Sequence, residues 1–196
     1  MTNSLIAITG GIGSGKSYVC SMLRRRGIEV YDCDSAAKRI IATSAEVRRG
    51  LTRLMGPHTF LADGRLNKAA VAEFLLQSES NAKAINDIVH PAVAADFKKS
   101  GVRWMECAIL YESGFFRLVD VVIAVTAPEE VRVGRIMQRD GITASKAREW
   151  IARQMPQSEV SRRADYVIIN DGQHDVALQI EDIINNIAKQ KCYRPS

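Results

Sequence analysis

Leu5-Ile-Ala-Ile-Thr9, followed without a gap by Gly10-Gly-Ile-Gly-Ser-Gly-Lys-Ser17, is the stretch that decides the fold. A short apolar run ending in glycines reads as a buried central strand. The next eight residues fit G-x-x-x-x-G-K-[ST], and Ser17 to Arg26 reads as a helix with Val19, Met22 and Leu23 on its apolar side. Glycines let a backbone fold around an anion with its N–H groups inward, and the helix N-terminus adds positive partial charge. Gly11, Ile12, Gly13, Ser14 and Gly15 are therefore expected to cradle nucleotide phosphates. Lys16 is placed to reach the β- and γ-phosphates, and the Ser17 hydroxyl to ligate magnesium. Gly11-x-Gly13-x-Gly15 lacks the G-x-G-x-x-G spacing of a dinucleotide fold, so that reading is rejected.

Outward from the loop, strand and helix signals alternate. Gly27 closes the first helix, Glu29 to Asp32 is a second strand, and Ala36 to Ile41 begins another helix. Residues 44–100 are mostly helical in pattern, broken at Gly56-Pro57, Asp63-Gly64 and Pro91. Strands return at Val102 to Leu110 and Val119 to Thr126, and a helix runs from Pro128 to about Arg139 before the Asp140-Gly141 break. Ala144 to Gln154 is helical, Tyr166 to Asn170 is a last strand stopped at Asp171-Gly172, and Val176 to Ala188 closes the chain as an amphipathic helix. Strands spaced by helices imply a parallel α/β sheet. The expected architecture is a P-loop NTPase-type parallel sheet of about five strands flanked by helices, with a helical acceptor-binding insertion and a helical lid. The expected boundaries are a nucleotide-binding core at 1–59, 101–138 and 163–196, an acceptor region at 60–100 and a lid at 139–162.

Composition narrows the class. The 196 residues are 46% hydrophobic and 25% charged, as in an ordinary globular protein. A chain of this length buries about 70% of its unfolded surface and needs no disulfide or metal staple. No apolar run approaches the ~20 residues that span a bilayer, and the start of the chain carries no basic n-region. Cys20, Cys33, Cys107 and Cys192 are scattered without a CxxC pair, which fits reduced thiols in the cytoplasm. The net charge of +5 suits a polyanion, either nucleic acid or a phosphorylated small molecule. No basic stretch is interleaved with aromatics as in a single-strand stacking platform. The expectation is a small-molecule partner, no nucleic acid, no membrane, and a monomer or weak homo-oligomer.

Within P-loop proteins, a switch GTPase needs Asn-Lys-x-Asp, and Asn67-Lys68-Ala69-Ala70 lacks the aspartate. Ala108-Ile-Leu-Tyr-Glu112 mimics an acidic strand end, but the chain is too short for a motor ATPase. A small-molecule kinase remains, using ATP and magnesium. Asp32-Cys-Asp34 closes the second strand at the carboxyl edge, where open α/β sheets bind ligands. Residues two apart on a strand share a face, so one carboxylate is expected to accept a hydroxyl proton and the other to hold water on magnesium. The competing reading makes them ordinary helix caps. Arg132, Arg135 and Arg139 lie on one helical face. Arg132 reads as part of a solvated stripe, whereas Arg139, at the lid's start, suits charge developing on a transferring phosphoryl group. His90, before Pro91, reads by itself as a capped or core histidine.

The ordered set of motifs resembles dephospho-CoA kinases over essentially the whole chain. It comprises Thr9 to Ser17, Asp32-Cys-Asp34-x-x-Ala37, Asp63-Gly64, His90-Pro91, Leu110-Tyr-Glu112, Gln138-Arg-Asp140, Gln154, Ala164-Asp165 and Asn170-x-Gly172. The resemblance implies transfer of the ATP γ-phosphoryl group to the ribose 3′-hydroxyl of dephospho-CoA. It implies Asp34 as the base, with Lys16, Ser17 and Arg139 on phosphates and magnesium. It implies His90, Leu110 and Glu112 near the acceptor and Asn170 and Gly172 near adenine, while Asp32, paired with Asp34, is expected beside the acceptor and on magnesium. Tyr18 replaces the usual threonine near the α-phosphate, Lys68 the usual arginine after Asp-Gly, and Ala108 the usual proline.

Overall fold

The computed structural model describes residues 4–190, so Cys192 lies outside the described residues. In chain order the elements begin β1 (Ile6–Thr9), α1 (Lys16–Arg25), β2 (Val30–Asp32), α2 (Cys33–Thr43) and α3 (Ala45–Met55). They continue with α4 (Lys68–Gln77), α5 (Ser80–Ser100), β3 (Trp104–Glu106), β4 (Val121–Thr126) and α6 (Glu129–Asp140). The last are α7 (Ala144–Ala152), α8 (Gln157–Arg163), β5 (Tyr166–Ile169) and α9 (Val176–Gln190). Among the described residues, 4–31 with 102–190 form one compact unit, and residues 32–101 form another.

The first unit is built on the sheet, whose strand order is β2-β3-β1-β4-β5. Every residue of β1 and β4 is buried, which explains their unbroken apolar sequences. β1 runs parallel to β3 on one side and to β4 on the other, Ile6 lying opposite Trp104 and Val121, and β4 runs parallel to β5. Because the strands are parallel and in near register, Thr9, Glu106, Thr126 and Ile169 end at one edge, and the loops that leave it begin with Gly10, Cys107, Ala127 and Asn170. Ile6, Ile8, Val19, Leu23, Ile123, Val125, Ile168, Ile180 and Ile187 form one core joining the sheet to α1 and α9. Each such side chain contributes roughly 1.5–3 kcal/mol on burial. A smaller core of Val133, Ile136 and Ala147 joins α6 to α7, with Ile12, Trp150 and Ile151 packed on it.

The second unit is helical. Asp32 and Ser44 cap α2 and α3 by accepting the Ser35 and Val47 N–H groups, and Asn67 caps α4 through the Ala69 and Ala70 N–H groups. Between α3 and α4, Arg48 donates to the Gly64 carbonyl at 2.8 Å and lies 3.8 Å over the Phe60 ring, fixing the Asp63-Gly64 turn.

Three expectations change. Pro91 does not break its helix: α5 runs through it. An interior proline costs about 3 kcal/mol. Val89, Val93 and Phe97 are buried along α5 and more than offset that cost. The strand expected over Val102 to Leu110 holds only at Trp104–Glu106, because beyond Cys107 the backbone bonds locally in turns, Ser113 N–H to the Ile109 carbonyl at 2.9 Å and Gly114 N–H to the Tyr111 carbonyl at 3.2 Å. The third is α8, a helix in the expected lid stretch beyond the one expected over Ala144 to Gln154. Its signal was present in Pro156 at the cap, Glu159 in the first turn and Arg162 and Arg163 in the last.

Candidate active site

The phosphate loop is shaped by side chains that capture its carbonyls. Arg132 Nε donates to the Ile12 carbonyl at 2.9 Å, and Arg135 Nη1 to the Gly13 and Ser14 carbonyls at 3.3 Å each. Asn170 Nδ2 adds a bond to the Ser14 carbonyl at 2.9 Å, and Arg135 Nη2 holds Asn170 by its carbonyl at 3.0 Å. In a planar trans peptide the C=O of one residue and the N–H of the next point opposite ways. Holding the Ile12 and Ser14 carbonyls therefore turns the Gly13 and Gly15 N–H groups to the other side, an orientation suited to receiving an anion. Gly15 caps α1 in a left-handed conformation with φ 96, and an added Cβ would run into Asn170 Nδ2. The Ser14 hydroxyl is fully buried with no hydrogen-bond partner, a polar orphan in the wall of the cradle.

Lys16 and Ser17 open α1. The Lys16 side chain is 10% exposed, and its Nζ lies 4.0 Å from Glu106 Oε1 at the end of β3. Glu106 was missed from the sequence. Its signal is the acidic residue closing Trp-Met-Glu; Glu112, the residue expected near the acceptor, is exposed in the turns beyond. No cluster of three or more histidine, cysteine or acidic residues that could hold a metal occurs among the described residues. The donor set fits magnesium all the same, because this ion is usually held by one or two protein oxygens together with phosphates and water.

Beside the loop a cavity of about 540 Å³ is lined by Gly15, Tyr18, Arg135, Asn170, Gly172 and His174. The structure thus brings Gly15 and Tyr18 together with Asn170 and Gly172 from the other end of the chain. His174 joins them unforeseen: its Nδ1 lies 2.8 Å from Asp171 Oδ2, and Asp171 Oδ1 accepts the Gln173 and His174 N–H groups. Those bonds hold the Asp171 carboxyl far below the usual carboxylate range, the His174 N–H contributing most.

Arg132 is not part of a solvated stripe. It is only 5% exposed, and burial pushes its guanidinium down while Glu129 pulls it back up. Gln154, beyond α7, accepts the Ile12 N–H at 2.7 Å. These two residues and Arg135 hold the loop, yet spacing alone does not separate a buried arginine from a solvated one. Arg139 is exposed at the end of α6 and pairs with its neighbour Asp140 at 2.7 Å.

In the helical unit, Asp32 caps α2, taking the Ser35 N–H at 3.0 Å and its hydroxyl at 2.8 Å. β2 ends at Asp32 and α2 begins at Cys33, so the alternation expected to put Asp32 and Asp34 on one strand face does not extend to Asp34. Asp34 is exposed in the first turn of α2. His90 is half-buried in α5; burial pushes its imidazole down and Asp87 partly restores it. In the sheet unit Leu110 is wholly buried, its carbonyl accepting the Phe116 N–H at 3.3 Å.

Comparison with known proteins gives this arrangement a family. The dephospho-CoA kinase family model matches residues 4–175. The chain belongs to the dephospho-CoA kinase family. It is 40% identical over 186 residues to a dephospho-CoA kinase of Bacteroides fragilis, an alignment covering 91% of this chain and 90% of the relative. The crystal structure of TT1252 from Thermus thermophilus superposes with a TM-score of 0.82 at 30% identity, covering 95% of this chain and 98% of that one. A dephospho-CoA kinase from Campylobacter jejuni shares the fold with a TM-score of 0.66 at 21% identity, covering 95% and 98%. A dephospho-CoA kinase is a phosphotransferase, and kinases of this family use ATP. Among the described residues, no helix is long and apolar enough to cross a membrane.

Proposed function

We propose that this chain transfers the γ-phosphoryl group of ATP to the ribose 3′-hydroxyl of dephospho-CoA, giving coenzyme A and ADP. The observation that carries the reading is the phosphate loop of a dephospho-CoA kinase family chain, with its carbonyls captured by Arg132, Arg135 and Asn170. In the transfer, the 3′-oxygen forms a bond to Pγ, the bond from Pγ to the β,γ-bridging oxygen breaks, and the hydroxyl proton goes to Asp34. Lys16 and the loop N–H groups hold the phosphates, and Arg139 spreads over the charge developing on the transferring group. Ser17, with Asp32 acting through water, would hold magnesium. Held there, the ion would supply positive charge to offset that of the phosphates.

Tyr18 serves the nucleotide near its α-phosphate, Asn170 and Gly172 contact its adenine, and His90, Leu110 and Glu112 serve the acceptor. Functionally, residues 60–100 are the acceptor region, 139–162 the lid and the remainder the nucleotide-binding core. The enzyme works in the cytoplasm on a small molecule, without nucleic acid, as a monomer or weak homo-oligomer. The reading is tested by ADP release coupled to a reporter, with dephospho-CoA compared against shikimate, nucleosides and nucleotides. ADP release that depends on dephospho-CoA supports it; release that depends on another acceptor, or on none, rejects it.

A further inference from the structure

Ile12 is held at three points. Its N–H donates to Gln154 Oε1 at 2.7 Å, its carbonyl accepts from Arg132 Nε at 2.9 Å, and its side chain packs on the core between α6 and α7. Gly11 carries the same imprint: a Cβ there would run into Arg132 Nη2 and come within 3.1 Å of Gln154 Oε1. Both backbone groups of Ile12 are thus engaged by side chains, so this residue is an anchor of the loop rather than one of its phosphate donors. Neither anchoring side chain belongs to the loop motif. Arg132 lies on α6, and Gln154 follows α7 in the stretch proposed above as the lid.

We infer that Gln154 and Arg132 are positioning residues which, by gripping Ile12, fix the phosphate loop to α6 and α7, so that nucleotide affinity is set from the lid segment. The physical reason is preorganisation. Loop N–H groups attract phosphate most strongly when they need not reorganise to meet it, and the grip on Ile12 fixes the peptide that carries the Gly13 N–H. Coupling of this kind is reciprocal: what the lid segment does for nucleotide binding, bound nucleotide does for the order of α7. The inference rests on the nucleotide-binding half of the proposed function, not on the identity of the acceptor.

The test uses the full chain and Gln154→Met, which keeps the length of the side chain but not its acceptor, with Gln154→Glu as the variant that restores an acceptor. Amide exchange at Ile12 is read without nucleotide or acceptor: slow in the parent and in Gln154→Glu, fast in Gln154→Met. ATP affinity, titrated calorimetrically without dephospho-CoA, is expected to weaken about tenfold in Gln154→Met, the order expected for one lost hydrogen bond. The KM for dephospho-CoA stays within about twofold of the parent, since the lost bond lies at the phosphate loop. Arg132→Met is expected to weaken ATP similarly, and the double variant to lose much less than the product of the two, because both act through one residue. If Arg132→Met does not fold, the Gln154 series decides alone. Unchanged Ile12 exchange in Gln154→Met, ATP affinity within twofold of the parent, or fully multiplicative losses would overturn the inference. A chain that shows the expected pattern with ATP but does not phosphorylate dephospho-CoA leaves the anchor standing and removes the acceptor assignment.

Discussion

Asn170 donates through Nδ2 to the Ser14 carbonyl at 2.9 Å, tying the end of β5 to a loop 156 residues earlier in the chain. That bond explains why Gly15 tolerates no side chain. Asn170 Nδ2 occupies the place of its Cβ, and the left-handed backbone at φ 96 adds a penalty of its own. Gly15→Ala is therefore expected to abolish ATP binding by calorimetry while the sheet core survives. ATP affinity close to that of the parent would mean that Asn170 and the loop yield more readily than their packing implies.

Lys16 is nearly buried, with its Nζ 4.0 Å from Glu106 Oε1 at the strand edge. Lys16→Ala is expected to lower kcat by about a thousandfold, the order seen when a phosphoryl-stabilising group is removed. Steady-state kinetics at saturating ATP check this, and a loss below about tenfold would place phosphate stabilisation elsewhere in the loop.

Asp34 is exposed in the first turn of α2, while Asp32 is engaged as that helix's cap. Asp34→Asn is expected to reduce kcat by about a hundredfold or more, the range for loss of a general base, with ATP affinity nearly unchanged. Equal losses in turnover and ATP affinity would assign Asp34 to magnesium instead.

His90 makes a prediction about stability. Burial lowers its pKa in the folded chain below 6.5, so folding favours the neutral imidazole. The stability this contributes is present above the unfolded-state value and is lost as pH falls through the folded one. Thermal melts from about pH 7 to about pH 5, across the histidine range, are expected to fall more steeply for the parent than for His90→Gln. Parallel curves would show that His90 titrates alike in the folded and unfolded chain.

What was legible in the sequence was what local pattern determines. The strand read at Leu5–Thr9 appears at Ile6–Thr9, the glycine-rich turn follows it as read, and the helix read from Ser17 opens one residue earlier at Lys16. Asn170 and Gly172 were linked to the nucleotide through resemblance, and they share a cavity wall with Gly15 and Tyr18. What stayed hidden depends on contacts between distant residues. Arg132 looks like any surface arginine until the fold buries it against Ile12. Glu106 gains meaning only when β3 pairs with β1, its Cα opposite Ile8 one residue before the loop-bearing end of that strand. Pro91 carries a strong local signal for a break, and the buried face of α5 overrides it.

The most direct test of the account follows phosphorus. The chain is incubated with magnesium, dephospho-CoA and ATP labelled in the γ-phosphoryl group, and the product is located by phosphorus NMR and mass. The account predicts label on the ribose 3′-oxygen of coenzyme A with one ADP formed for each. Label found as inorganic phosphate or on a different hydroxyl, with dephospho-CoA recovered intact, would contradict it.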